Sequence, residues 1–180
     1  MSFETPDSYV RAGNGITFTS EVRLELTKAV MEKGKPFRFS VFGSSMYPFI
    51  RDRHIITITP LPEGRPELGD VVAFVKPGVK KLFVHRVVRI GAGLFQLRGD
   101  NAKAPDGMVS RANIIGIVTR VEHNSSDVRA GLGRERRLVA VMSRHGLLWR
   151  ITRVTGFLTT SVAAGLQKTR LDCQRGDSRE

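Results

Sequence analysis

The sequence predicts a mainly β protein. A compact β-ribbon unit over residues 37–122 carries the candidate chemistry, with a short N-terminal helix before it and a basic helical C-terminal tail after it. Three observations lead there. From Phe37 onward, apolar and β-branched residues come in short runs, and Phe37, Phe39 and Val41 alternate with Arg38 and Ser40 at the period of a half-buried strand. Turn residues separate the runs: Pro60, Pro62, Gly64, Pro66 and Gly69, then Pro77-Gly78, then Gly91-Ala92-Gly93. The 180 residues are 41% apolar and 26% charged, a globular balance that fits neither a disordered chain, a collagen-like repeat nor a coiled-coil rod.

The first 36 residues form a segment with one short helix. Ser20, followed by Glu21, Val22, Leu24, Leu26, Ala29 and Val30, reads as a capped helix that Gly34 and Pro36 close. Strands follow at Phe37 to Phe42, Ile55 to Thr59, Val71 to Val75, Leu82 to Ile90, Phe95 to Leu97 and Ile114 to Val121, with a polar loop from Gly99 to Ser110. Residues 123–133, with Asn, Ser, Asp and Gly, read as a linker, and residues 134–180 as the helical tail. In that tail Leu147, Leu148, Ile151, Val154, Leu158, Val162 and Leu166 fall in a stripe about 120° wide at 100° per residue. Arg150 and Arg153 lie outside the stripe, so the tail is an amphipathic, basic helix that either packs on its own core or docks on a surface or partner.

Charge points first to an acidic partner. Lys and Arg number 29 against 17 Asp and Glu, a net charge of +12, which favours nucleic acid or an anionic lipid surface. Most of the excess sits outside the β unit: residues 129–170 hold nine basic side chains and one acid, Glu135. The single cysteine, Cys173, has no internal disulfide partner, and four scattered histidines lack the spacing of a zinc site, so no metal or cofactor is expected. Residues 1–15 are polar and show no signal peptide. The longest stretch without Lys, Arg, Asp or Glu runs 14 residues, Val154 to Gln167, whereas a helical span takes about 20 apolar residues. A cytoplasmic or peripherally membrane-associated protein is the expectation.

Three stretches combine a nucleophile, a base and an acid. Gly43-Ser44-Ser45-Met46-Tyr47-Pro48 follows the first strand, and a serine on such a turn exposes its hydroxyl and presents its own N–H to a developing oxyanion. Phe83-Val84-His85-Arg86-Val87-Val88 places a histidine in an apolar strand, where it serves as a base if the fold brings it to the serine. Arg98-Gly99-Asp100-Asn101, with Asp106 six residues after Asp100, offers a carboxylate to orient the imidazole. Each stretch alone is also ordinary turn or strand material. The other histidines, His54, His123 and His145, read as surface or packing residues.

Taken in order, these stretches, together with Gly69-Asp70-Val71-Val72-Ala73-Phe74 and Gly116-Ile117-Val118, resemble type I signal peptidases over about residues 37–122. The resemblance is to the branch of archaeal and endoplasmic-reticulum signal peptidases, whose base is a histidine where common bacterial enzymes have lysine. It implies a β-rich core shared with self-cleaving repressors and a serine endopeptidase activity on signal or leader peptides. By position it implies Ser45 as nucleophile, His85 as general base and Asp100 as orienting acid, with Asp106 the second acidic candidate. The oxyanion donors would be the Ser45 N–H and Ser44, since the position two before the nucleophile, which supplies a hydroxyl in some relatives, is Gly43.

Signal peptidases usually carry a membrane-spanning helix ahead of the serine box, and residues 1–36 do not supply one. A processing protease for dedicated leader peptides, held at an anionic surface by its tail, fits that departure. The first rival is a self-cleaving repressor-like protein, which pairs serine with lysine and cuts an upstream Ala-Gly bond. Ala12-Gly13 lies upstream of Ser45, and Lys76, Lys80 and Lys81 are alternative bases, although none occupies the slot of His85. The second rival, a nucleic-acid binder, rests on charge alone, with no recognition motif and only 7% aromatic residues.

Overall fold

The computed structural model describes residues 9–12, 15–61 and 65–153. Val154, Leu158, Val162 and Leu166 of the predicted tail stripe, and the uncharged run they belong to, lie outside these residues.

The chain begins with an antiparallel hairpin, β1 (Tyr9–Ala12) and β2 (Gly15–Phe18). Helix α1 (Ser20–Glu32) follows, with Thr19 as its N-cap accepting from the Val22 N–H at 3.4 Å. Its spacing of Leu24, Thr27 and Met31 makes one buried face. The helix closes where Gly34, at φ 67°, donates to the Met31 carbonyl.

The remaining strands are β3 (Phe37–Ser40), β4 (Ile55–Thr59), β5 (Val71–Val75), β6 (Leu82–Gly91), β7 (Leu94–Arg98), β8 (Met108–Ser110), β9 (Ile114–His123) and β10 (Ser126–Asp127). They form one antiparallel sheet in the order β3-β4-β9-β5-β6-β7-β8, with β10 paired to β9. The mainly β architecture with helical ends is therefore the fold. The four predicted runs from Ile55 to Leu97 are strands, and Val41 and Phe42 pass from strand into turn. Four strands beyond the predicted ones are β1, β2, β8 and β10, the last a two-residue strand that folds part of the predicted linker back onto β9. β1 and β2 are four-residue strands bracketing Gly13-Asn14, a hairpin signal in an otherwise polar segment, while β8 is only three residues long.

β5 shows why the sheet is stable. It is buried along Val71 to Phe74, and because successive side chains point to opposite faces, Val71 and Ala73 join one core while Val72 and Phe74 join another. The first core gathers Met31 of α1, Met46 and Ile50 of the serine turn, and Ile56 and Ile58 of β4. The second gathers Val87, Phe95, Leu97, Val109 and Ile114. The helices add further buried contacts. Helix α2 (Arg136–Arg144) packs against β6 with Val139, Ala140 and Ser143 buried, and a further helical segment at 147–153 buries Leu148. Gly69 permits this approach: at φ 97°, an added Cβ would stand 2.6 Å from the Arg136 backbone.

β6 serves two ladders. Leu82 to Arg86 pair with β5, and Arg86 to Gly91 pair with β7. Leu82 to His85 thus keep one strand edge unpaired among the described residues, and β3, at the end of the sheet, keeps another.

Candidate active site

Ser45 sits on the turn that leaves β3. That turn is fastened by the Gly43 N–H donating to Asp52 Oδ1 at 2.8 Å, by Tyr47 N–H to the Ser44 carbonyl, and by the buried side chains of Met46 and Ile50. The Ser45 side chain is exposed, but its carbonyl accepts the Asn101 N–H at 2.8 Å, and the Asn101 side-chain amide donates to the Ser44 carbonyl at 3.2 Å. The serine turn and the loop after β7 are therefore locked together. Gly99 makes the contact possible, since a Cβ there would lie 2.6 Å from the Ser45 carbonyl oxygen and 3.1 Å from His85 Nε2.

His85 projects from β6, nearly buried, with its ring against Phe74 and Phe83 at centroid distances of 5.8 and 6.4 Å. Nε2 lies 3.1 Å from Ser45 Oγ, within hydrogen-bond reach across 40 residues of sequence. Nδ1 lies 2.5 Å from Asp106 Oδ2. With Asp106 ionised, Nδ1 carries the proton and donates, which leaves Nε2 to accept from the serine hydroxyl. Asp106 is nearly buried, and its backbone N–H donates to the Leu97 carbonyl. Burial pushes its carboxyl up, but hydrogen bonds and charge from His85 and Lys76 outweigh that and hold it below the ordinary carboxylate value.

Asp100, expected to orient the imidazole, is elsewhere. It is fully buried in an ion pair with Arg86, which donates from Nη2 to Oδ2 at 2.7 Å and from Nε to Oδ1 at 2.9 Å. The reason is the strand period: His85 and Arg86 are consecutive on β6 and point to opposite faces, so a carboxylate that serves Arg86 is on the wrong side for His85. Arg86 also donates to the Gly69 and Gly131 carbonyls, tying β6 to the chain behind it.

The predicted oxyanion region lies beside the pair. Gly43, Ser44 and Ser45 line a groove of about 500 Å³ together with His85, and among the described residues no group accepts the Ser45 N–H. Gly43 has φ 105°, a conformation that suits glycine. The groove walls are Phe39, Val41 and Phe42 on one side and Leu82, Phe83 and Val84 on the other, with Arg23 and Lys81 also lining it. Lys76, weighed only as an alternative base, instead binds the far oxygen of Asp106, Nζ to Oδ1 at 2.8 Å. Lys81 lies over the Phe83 ring. Of the remaining histidines, His54 is buried and packs on His123 at 4.8 Å between ring centroids. Sequence reasoning did not pick out Asn101, although it follows directly on the Gly99-Asp100 turn.

The Peptidase S24-like family model matches residues 7–119, well over half of the sequence. The chain belongs to the Peptidase S24-like family. The match covers the hairpin, α1, every strand through most of β9 and all of Ser45, His85, Asp106 and Lys76. Comparison with curated proteins gives no match, and comparison with solved structures gives none. S24-like membership is consistent with a serine-peptidase or self-cleaving repressor fold, and within it this chain presents a histidine to its serine.

Proposed function

We propose that this S24-like protein is a serine endopeptidase acting on leader or signal peptides. The observation that carries the reading is the continuous hydrogen-bonded line Ser45 Oγ, His85 Nε2, His85 Nδ1, Asp106 Oδ2, whose Ser45 and His85 line a groove with apolar walls. Ser45 Oγ attacks the scissile carbonyl while Nε2 takes its proton, and Asp106 steadies the imidazolium that forms. The tetrahedral oxyanion is met by the Ser45 N–H and by Ser44. Nε2 then protonates the departing amine, and water repeats the sequence to release the acyl group.

The groove also favours an extended peptide. The unpaired edges of β3 and of Leu82 to His85 flank it, and a substrate strand entering between them would gain main-chain hydrogen bonds while alternate side chains meet the apolar walls. Leader segments, apolar and locally unstructured, suit that geometry. The test is cleavage of a leader-peptide library by wild type and Ser45→Ala. Cuts that disappear in the variant support the reading, and equal cleavage by both overturns it.

One observation favours self-cleavage as a second reading. Ala12 ends β1 of the hairpin that precedes α1, and Ser20 and Arg23 of that helix line the same groove. Incubation of the purified protein would then give a Ser45-dependent cut at Ala12-Gly13 whose rate constant is independent of protein concentration.

A further inference from the structure

We infer that Lys76 is a positioning residue for the catalytic carboxylate, making the site a line of four groups: Ser45, His85, Asp106 and Lys76. This inference rests on the endopeptidase reading.

The two oxygens of Asp106 have separate partners. Oδ2 faces His85 Nδ1 at 2.5 Å, and Oδ1 faces Lys76 Nζ at 2.8 Å. A carboxylate hydrogen-bonded through one oxygen alone swings about its side-chain torsions, and a second anchor at the other oxygen fixes the plane in which the first must lie. Lys76 is itself constrained. It stands at the end of the β5 ladder, immediately before the Pro77-Gly78 turn, and its ammonium sits 4.8 Å from the centroid of Phe83. That ring in turn borders the imidazole of His85, so the same aromatic residue supports both ends of the Lys76–Asp106–His85 array.

The charge arithmetic agrees. A lone carboxylate beside a neutral imidazole would leave a net negative charge in a nearly buried site, which burial disfavours. With Lys76 paired, the resting array is neutral, and the imidazolium formed during attack is balanced by the substrate's oxyanion. The neighbouring charges do not compete for this carboxylate. Arg86 and Asp100 are closed on each other on the opposite face of β6, and Lys81 lies over Phe83 at 5.6 Å without an ion pair to Asp106. Lys76 is about one-third exposed, so it reaches the carboxylate from the solvent side, where substitution leaves both cores intact.

The experiment compares Lys76→Met, Lys76→Arg and the exposed neighbour Lys80→Met on a peptide that wild type cleaves and Ser45→Ala does not. Lys76→Met is expected to lower kcat about 10- to 100-fold with little change in KM, the scale of a small misplacement of a catalytic group. Lys76→Arg should recover most of that loss, and Lys80→Met should match wild type. A second readout does not need turnover: the low-field proton resonance of the His85 Nδ1–H, recorded in the Ser45→Ala background, should weaken or move upfield in Lys76→Met and persist in Lys76→Arg. Unchanged kcat and an unchanged resonance in Lys76→Met would overturn the inference. So would a fall in kcat that tracks a lower Tm while the resonance stays in place. Absence of any Ser45-dependent cleavage would overturn the endopeptidase reading instead, and the resonance alone would then decide whether Lys76 positions Asp106.

Discussion

Two aspartates six residues apart do different work, and the difference is measurable. Asp106→Asn replaces the acceptor of the Nδ1 proton with a group that can present a donor there, so the imidazole loses the tautomer that the serine needs. The expected loss in kcat is on the order of 10³- to 10⁴-fold, with a loss of stability smaller than that of Asp100→Ala. Asp100→Ala leaves the Arg86 guanidinium buried without its counter-charge, and urea unfolding should show a loss of roughly 3–5 kcal/mol. If Asp100→Ala left stability untouched while Asp106→Asn did the damage to folding, the assignment would be reversed. Asp106 also sets an acid limit. Its folded value is depressed below 3.8, so its contribution to stability is complete above that value and is lost as pH falls through the lower folded one. The sequence allowed both aspartates as orienting acids because the loop could present either. The period of β6 decides between them, and that required knowing which face of the strand carries the serine.

At the level of elements, what was legible followed from pattern and what was not followed from contact. The runs at Ile56 and Ile58, and at Val71 to Phe74, announce strands because their burial is period-two or continuous. β8 was hidden because three residues in a polar loop carry too little pattern, and it exists because Phe95 and Gln96 of β7 offer Val109 and Met108 a ladder. His54 illustrates the same limit. It opens the β4 region, where the sequence left surface and packing both open, and it is buried against His123 with Arg51 nearby. Burial first, then the charges of His123 and Arg51, push its imidazole below the ordinary 6.5. A histidine held neutral in the fold but free to protonate when unfolded gives full stability above 6.5, and stability is lost as pH falls from there toward the lower folded value. Tm measured across that window should decline in wild type and decline less in His54→Gln. An equal decline in both proteins would place the acid sensitivity elsewhere. The helical character after residue 134 was legible, but its division into α2 and the segment at 147–153 was not, nor was its attachment: of the described stripe residues Leu148 is buried while Leu147 and Ile151 are exposed. Arg98, nearly buried, donates to the Ala102 and Lys103 carbonyls of the loop after β7 and to the Arg144 carbonyl at the end of α2, and Thr152 donates to Asn101 Oδ1 at 2.7 Å. A chain ending at residue 133 should therefore lose activity and Tm together, whereas one ending at residue 153 retains every one of these bonds.

For the whole molecule, the net charge of +12 must be read beside where apolar side chains remain in contact with water. Helix α2 turns Val139, Ala140 and Ser143 inward and leaves Leu138 and Val141, three residues apart on its outer side, 64% and 46% exposed. Arg137 and Arg144 lie on the same short helix, and Arg134 just precedes it. Among the described residues no helix is long and apolar enough to cross a membrane, so any contact with lipid through α2 would be at the surface. The combination leads to the prediction of adsorption to an anionic bilayer, where each basic residue near the headgroups would contribute about 1 kcal/mol and a shallowly inserted leucine would add its burial. Flotation with vesicles of phosphatidylcholine alone and with added phosphatidylglycerol separates the two contributions. Binding should appear only with the anionic lipid, weaken as salt is raised, and fall again in Leu138→Ser combined with Val141→Ser, a pair whose exposed positions leave the packing of α2 on β6 unchanged. Equal binding to both vesicle types, or none to either, would remove the membrane from the account and leave the basic surface to a soluble partner.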